Sequence, residues 1–334
     1  MPASASVKPL LKWVGGKRQL LPALRRFYPR EFGAYIEPFF GSGAVFFDLC
    51  DSGRLSGHRV LLIDSNPDLI GCYETVRDQP DAVGSALEEL AAGYARDGRA
   101  HYYVVRDAMF NPLRAERRAN GRIPYTPDLA AMLIYLNRTG FNGLFRVNAR
   151  GAFNVPAGRY DRPRIVDRAR LERVAQALSA PGVELRCGSF ADVPTAAAAG
   201  DFLYVDPPYA PVSPTSSFTA YTALRFGDEE QQALQRLMIE LAERGCHVLL
   251  SNSTAPVIQN LYERDPHANA AGLRALRVPA RRAVNSNASR RGNVDEYVIT
   301  NIEAHTADVL PGRHPAAVSR SRGSSAAGAR PTFR

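Results

Sequence analysis

Short, wholly apolar runs recur along the chain: Tyr35-Ile36, Val60-Leu61-Leu62-Ile63, Phe202-Leu203-Tyr204-Val205 and Val248-Leu249-Leu250. Runs this brief and this apolar predict strands buried on both faces. The predicted strands span 34–40, 59–64, 183–187, 201–205 and 246–252, with a closing hairpin at 280–285 and 295–301. Between them, apolar residues fall at helical spacing, as at Leu69, Ile70 and Tyr73, and again over 166–178 and 228–244. Strand and helix alternating in this way predict an α/β fold, an open sheet flanked by helices. There is no internal repeat.

The alternation breaks near Asp81 and resumes near 165. In between lie arginine-rich helical segments; seven arginines face three acids between Arg96 and Arg122. An apolar helix follows at 128–136, and Leu144 to Val155 then predicts a β-hairpin turning near Gly151. Asn and Arg make bidentate contacts to adenine and guanine edges. A solvated hairpin is the alternative, less apt for this clustering of Asn, Arg, Phe and Tyr. The organisation is therefore an α/β core over 1–80 and 165–304, interrupted by a mostly helical, hairpin-bearing insert at 81–164. The Pro/Ser/Thr-rich stretch 210–221 predicts a mobile loop. The Ala/Gly/Ser/Arg-rich tail at 305–334 predicts disorder.

Charge sharpens the picture. The net charge is +9, with a pI near 9.6, which favours a polyanionic partner, although a basic tail contributes to it. Only three of the 42 basic residues are lysines, Lys8, Lys12 and Lys17. A lysine beside the Gly15-Gly16 turn is then suggestive of a need for its compact ammonium. Trp13, the single tryptophan, stands by the same turn; a core anchor is its structural reading and a ligand contact the other. No run of about 18 apolar residues occurs, and the first residues lack a secretory core. The four cysteines have no Cys-x-x-Cys spacing and read as reduced cytosolic thiols, mostly in the core. Neither they nor the six histidines show metal-ligand spacing, so no metal is expected.

Two stretches carry candidate chemistry. Asp206-Pro207-Pro208-Tyr209 follows a buried strand and must end it, so a carboxylate, exposed carbonyls and a ring project from its C-terminal edge. Such a set can grip a planar base bearing an exocyclic amine, although a proline-terminated strand with a half-buried tyrosine would look similar. Glu37-Pro38-Phe39-Phe40-Gly41-Ser42-Gly43 reads as strand, glycine loop and helix start. Asp64 ends the next strand about 20 residues on, where nucleotide-binding folds place a carboxylate on ribose hydroxyls. An N-cap for the helix after Asn66-Pro67 is its structural alternative. The loop has neither Gly-x-Gly-x-x-Gly spacing nor a P-loop ending, which favours a cofactor without pyrophosphate, such as S-adenosylmethionine.

Taken together and in order, Leu11–Lys17, Glu37–Gly43, Asp64-Ser65-Asn66, Asn142–Asn148, Phe153–Tyr160 and Asp206–Tyr209 closely resemble Dam-type DNA adenine-N6 methyltransferases of the α group (D12 class). The resemblance spans roughly Pro9 to Asn301. It implies a Rossmann-like S-adenosylmethionine-dependent core, with Trp13, Lys17, Asp64 and Asp206 contacting the cofactor. Glu37, Phe39, Gly41 and Gly43 would line its pocket, with Phe190 bordering the adenine. The family often has Asp just before that Phe; Ser189 stands there, with Asp192 as the substitute acid. Asp206, Pro207, Pro208 and Tyr209 would hold a flipped target adenine. Asn142, Arg146, Asn148, Pro156, Arg159 and Tyr160 would read double-stranded DNA, with GATC the leading site. The resemblance further implies a monomeric cytoplasmic enzyme of a bacterium or phage, at the nucleoid, solitary or in restriction-modification. An RNA or protein-amide methyltransferase would share the chemistry but needs no groove-reading hairpin, and a silent DNA-binding protein would not need Lys17, Asp206 and Tyr209 together.

Overall fold

The computed structural model describes residues 7–13, 15–117, 124–212, 226–281 and 293–305. The predicted loop from 213, the hairpin segment 282–285 and the tail from 306 lie outside the described residues. Met1–Ala304 forms one compact unit.

A seven-stranded sheet organises that unit. Its strands are β1 (Tyr35–Glu37), β2 (Val60–Asp64), β3 (Val183–Cys187), β4 (Phe202–Val205), β5 (His247–Ser253), β6 (Arg274–Arg281) and β7 (Asn293–Thr300). The order across the sheet is β3-β2-β1-β4-β5-β7-β6. The first five are parallel neighbours, and β7 runs antiparallel to both β5 and β6. The chain therefore winds outward from β1 to β3, then returns to lay β4 on the other side of β1. That reversal makes the C-terminal edges of β1 and β4 the topological switch point, where open α/β sheets bind ligands. The α/β, Rossmann-like expectation is met.

The apolar runs do what their composition demands. Along β1, β2 and β4 alternate residues enter two cores: Tyr35, Leu62 and Tyr204 on one face, Ile36, Ile63 and Val205 on the other. Leu234, Leu237, Met238 and Leu241 of the long helix after β4 fill the second core. The first core is larger. It takes in Val83, Leu87, Tyr102, Phe110 and the apolar face of 129–136, so the arginine-rich stretch shares its interior with the sheet.

The α-helices of the described residues, in chain order, are α1 (Leu21–Leu24), α2 (Ala44–Asp51), α3 (Pro67–Asp78), α4 (Pro80–Asp97), α5 (Arg99–Tyr103), α6 (Asn111–Arg117), α7 (Pro127–Thr139), α8 (Arg168–Leu178), α9 (Asp228–Glu243), α10 (Pro256–Ile258) and α11 (Pro266–Ala270). Between α5 and α6 the backbone widens into a π-helical turn, Val104–Phe110.

Several expectations need correction. The strand predicted over 34–40 is three residues long, because Pro38 cannot continue the ladder. Leu20, Leu21, Leu24 and Phe27 fall at helical spacing, which predicts a helix, but the segment is broken into short turns, with Pro22 at the start of α1. The first strand of the closing hairpin begins at Arg274, earlier than the 280–285 predicted. Of the cysteines, Cys72 and Cys246 are buried, Cys50 is intermediate and Cys187 is exposed, so "mostly core" holds for half of them.

Candidate active site and nucleic-acid interface

Glycine shapes the first wall of the site. Gly41 and Gly43 both have positive φ, +49° and +68°, which L side chains rarely adopt. A Cβ on Gly41 would stand 3.1 Å from Trp13 Cδ1. The loop is pinned from the neighbouring strand. Asp64 Oδ2 accepts from Gly41 N at 2.9 Å, Oδ1 accepts from Asn66 N at 2.9 Å, and Phe40 N donates to Ile63 O. Burial pushes the Asp64 carboxyl up, opposed by those two N–H donors. The N-cap of α3 is Asn66, whose side chain accepts from Asp68 N, so capping does not occupy Asp64.

Glu37 sits at the end of β1, 2% exposed, and accepts from Tyr35 OH at 2.7 Å. Burial holds its carboxyl well above the usual range, against the hydrogen bonds from Tyr35 and the Phe46 N–H. Phe39 stacks on Phe190 at 5.6 Å, and Phe226 meets both, edge-on to Phe39. Phe190 opens a 3₁₀ turn capped by Ser189, whose N–H donates to Asp192 Oδ2. The acid expected to replace a missing Asp is therefore engaged in a capping box.

Lys17 lies across the switch point. Its buried ammonium donates to Gly15 O at 2.6 Å and pairs with Asp206 Oδ1 at 2.7 Å. It also stands 4.4 Å from the Tyr209 ring centroid. Three donors thus meet a carbonyl, a carboxylate and a π face. Ser251 Oγ donates to the same Asp206 Oδ1 at 3.0 Å. Among the described residues, Oδ2 has no hydrogen-bond partner. Burial raises the Asp206 carboxyl above its usual range, with Lys17 and Ser251 opposing and Glu296 adding to the rise.

The turn after Asp206 is clamped on its far side. Pro208 O accepts from Gln231 Nε2 of α9 at 2.9 Å, Asn252 Oδ1 accepts from Ala210 N, and Ser253 Oγ donates to Ala210 O. Asn252 Nδ2 also donates to Gln231 Oε1, closing the network. No described side chain donates to Pro207 O. Tyr209 OH donates to Glu296 Oε2 of β7 at 2.8 Å.

The hairpin is looser than predicted. Instead of two strands over 144–155, only isolated bridges occur, Val147 with Phe153 and Gly140 with Ala157. The turn is built by Asn148, whose Oδ1 accepts from Arg150 N and Ala152 N. Arg146 Nε donates across it to Asn154 Oδ1 at 2.7 Å. Pro156 O accepts from Phe141 N. Asn142 has φ 54°, the one positive φ outside glycine among the described residues, and Phe141 beside it is 48% exposed. Arg159 is exposed, and the half-buried Tyr160 ring lies under Lys12 Nζ at 4.7 Å. Trp13 joins the two regions: it abuts Gly41 and stacks on Phe145 of the hairpin at 5.8 Å.

With this geometry in view, comparison with known proteins is decisive. The profile of the D12 class N6 adenine-specific DNA methyltransferases matches residues 13–278. The chain belongs to that family. It is 36% identical over 298 residues to the type II methyltransferase M1.LlaDCHI of Lactococcus lactis, covering 89% of this chain and 96% of that one. It is equally similar, at 36%, to the type II methyltransferase M.MjaIII of Methanocaldococcus jannaschii, covering 88% and 99%. The DNA adenine methylase of Escherichia coli K12 is 36% identical over 86% of this chain and 93% of its own.

As a D12-class methyltransferase the protein moves a methyl group onto adenine N6 in DNA. The geometry also exposes residues the motif reading missed. Ser251, Asn252 and Ser253 end β5, beside the turn that carries Asp206, and a polar run closing an apolar strand was a usable signal. Phe226 and Gln231 stand just before and just inside the start of α9 with no such signal, and Glu296 lies within β7 like any half-exposed strand acid. No helix of the described residues is long and apolar enough to cross a membrane. Among the described residues no His/Cys/Asp/Glu cluster has the form of a metal site.

Proposed function

We propose that this D12-class enzyme uses S-adenosylmethionine as methyl donor and acts on an adenine flipped out of double-stranded DNA. The cleft suits that donor. The left-handed Gly41–Gly43 loop is pinned at the switch point by Asp64, and the half-buried Asp64 carboxylate can still accept from ribose hydroxyls. Trp13, Glu37, Phe39, Gly41, Gly43 and Phe190 complete its walls, and Lys17 acts on it through Asp206. Bound there, the donor presents an electrophilic methyl group on a sulfonium.

The chain's task is to make a poor nucleophile attack it. Adenine's amine lone pair is delocalised into the ring. Asp206 Oδ2 and the Pro207 carbonyl accept its two N–H groups, pulling the nitrogen towards a pyramidal geometry and localising that pair. Tyr209 stacks on the flipped base, and the Pro207-Pro208 turn stiffens the grip. Preorganised acceptors and positioning provide the acceleration, with no covalent enzyme intermediate. The observation carrying this reading is the division of labour at Asp206: Lys17 and Ser251 fix Oδ1, leaving Oδ2 for substrate.

Residues 81–164 provide the DNA-recognition segment on the 1–80 and 165–304 core. Asn142, Arg146, Asn148, Pro156, Arg159 and Tyr160 face the duplex, the arginines supplying base and phosphate contacts. Exposed Phe141 suits a wedge between base steps. GATC is the leading site for a monomeric enzyme working in the cytoplasm at the nucleoid. Asp206→Ala tests the core of the proposal. Methyl transfer from labelled S-adenosylmethionine should disappear while non-specific DNA binding, read by anisotropy, stays near wild type. Retained turnover would remove Asp206 from the chemistry.

A further inference from the structure

The Tyr209 ring is restrained at more points than a stacking platform needs for packing alone. Lys17 Nζ, itself buried, stands 4.4 Å from the ring centroid and so covers one face. The backbone on either side is held by Gln231 at Pro208 O and by Asn252 and Ser253 at Ala210. The third restraint comes from a different part of the fold. Glu296 lies on β7, the antiparallel strand opposite Ser253 of β5, and its Oε2 accepts the Tyr209 hydroxyl at 2.8 Å. A tyrosine held only at its backbone can still swing about χ1, carrying the whole ring. A hydrogen bond at the hydroxyl, the atom farthest from the backbone, removes that freedom.

We propose that Glu296 is a positioning residue for methyl transfer: by holding the Tyr209 hydroxyl it fixes the ring so that the face opposite Lys17 receives the flipped adenine. This rests on the reading of Tyr209 as the base-stacking residue. Two features argue for a specific role over generic packing. The acceptor is ionisable, so the O–H···O bond is charge-assisted and stronger than a neutral one. It also joins the same small cluster as Asp206, because Ser251 of β5 links Asp206 Oδ1 to Tyr204 OH while Glu296 closes the far side of Tyr209. β7 thereby contributes to a site otherwise built from the parallel strands β1, β2, β4 and β5. The acceptor carboxylate and the stacking ring are held by adjacent strands of one sheet, so their separation is set by the sheet rather than by a loop.

The test is a set of variants read by methyl-transfer kinetics and by fluorescence of 2-aminopurine at the target position. Glu296→Ala should lower kcat by about tenfold or more, the scale of one charge-assisted hydrogen bond, with the dissociation constant for DNA little changed. Glu296→Gln, which still offers an acceptor of the same length, should recover most of that loss. Tyr209→Phe removes the same bond from the other partner without touching β7, and should match Glu296→Ala. The double variant should be no worse than either single one. A wild-type kcat in Tyr209→Phe, or multiplicative losses in the double variant, would overturn the proposal. Tyr209→Ala separates the two levels of the argument. An unaltered 2-aminopurine signal in that variant would remove the stacking role itself. A lost signal there, alongside wild-type kcat in Tyr209→Phe, would remove Glu296 alone.

Discussion

Glu37 shows how a single residue can trade stability for a binding surface. It is almost fully buried at the end of β1, and its surroundings raise its carboxyl well above the usual range. The cause is desolvation, which the Tyr35 hydroxyl and the Phe46 N–H offset only in part. A raised carboxyl binds its proton more tightly in the folded state than in the unfolded one. Stability contributed at this position is therefore greatest at low pH and is lost as pH rises from the ordinary carboxylate range through the folded value. Glu37→Gln removes the ionisation while keeping an acceptor for Tyr35. Its melting temperature should exceed that of the wild type at pH 8, and the gap should close as the pH falls towards the ordinary carboxylate range. A constant difference between the two across that range would mean that Glu37 does not titrate with folding. The same substitution should weaken cofactor binding, measured by calorimetry, if the acid lines the pocket.

At the scale of elements, the hairpin is held by side chains from helices more than by its own ladder. Arg114 of α6, buried, makes a bidentate pair with Asp68 of α3, both bonds 2.6 Å, and also donates to Gly151 O at the hairpin turn. Tyr125 OH donates to the same Asp68 at 2.8 Å. Further along, Arg106 and Tyr102 donate to Val155 O, and Asn111 pairs with both the N–H and the carbonyl of Phe153. Arg114→Ala would leave Asp68 buried with only a phenol for company. It should destabilise the protein by roughly 3–5 kcal/mol in urea unfolding. Arg114→Lys should rescue little, because one ammonium cannot span the carboxylate and the turn as a planar fork does. A loss below about 1 kcal/mol would show the pair to be solvated rather than buried. These contacts explain what was legible beforehand. The five parallel strands, the long helices, the two glycine turns and Asp206–Tyr209 were readable because each depends on local sequence: apolar runs, period, and proline or glycine punctuation. The hairpin's position was readable too, but not its irregularity, since Asn111, Arg106 and Arg114 reach it from about 40 residues away. Gln231 and Glu296 escaped for the same reason. Each matters only through a partner brought close by the sheet order, and no periodicity records that order.

For the whole molecule the open question is where the positive charge acts. Residues 306–334 hold five arginines and one aspartate, so +4 of the net +9 lies beyond the compact unit that ends at Ala304. Two distributions of DNA affinity are then possible. In one, the recognition segment supplies all phosphate contacts and the terminal arginines only keep the protein soluble. In the other, those arginines release counterions on binding, adding sequence-independent affinity without touching specificity. The second follows more naturally from the charge census, because several arginines of the 81–164 segment are already engaged within the fold: Arg106 with Asp107 and Val155 O, Arg114 with Asp68, and Arg138 with Leu10 O. A chain ending at residue 305 should therefore keep its kcat and its target sequence but bind DNA more weakly at low salt. The slope of log Kd against log salt should fall by up to about 3.6, at about 0.9 per phosphate neutralised. An unchanged slope would return the electrostatic work to the recognition segment. Arg159→Ala then locates it, because a phosphate contact there lowers the slope by about 1, whereas a base contact leaves the slope and relaxes one position of the site.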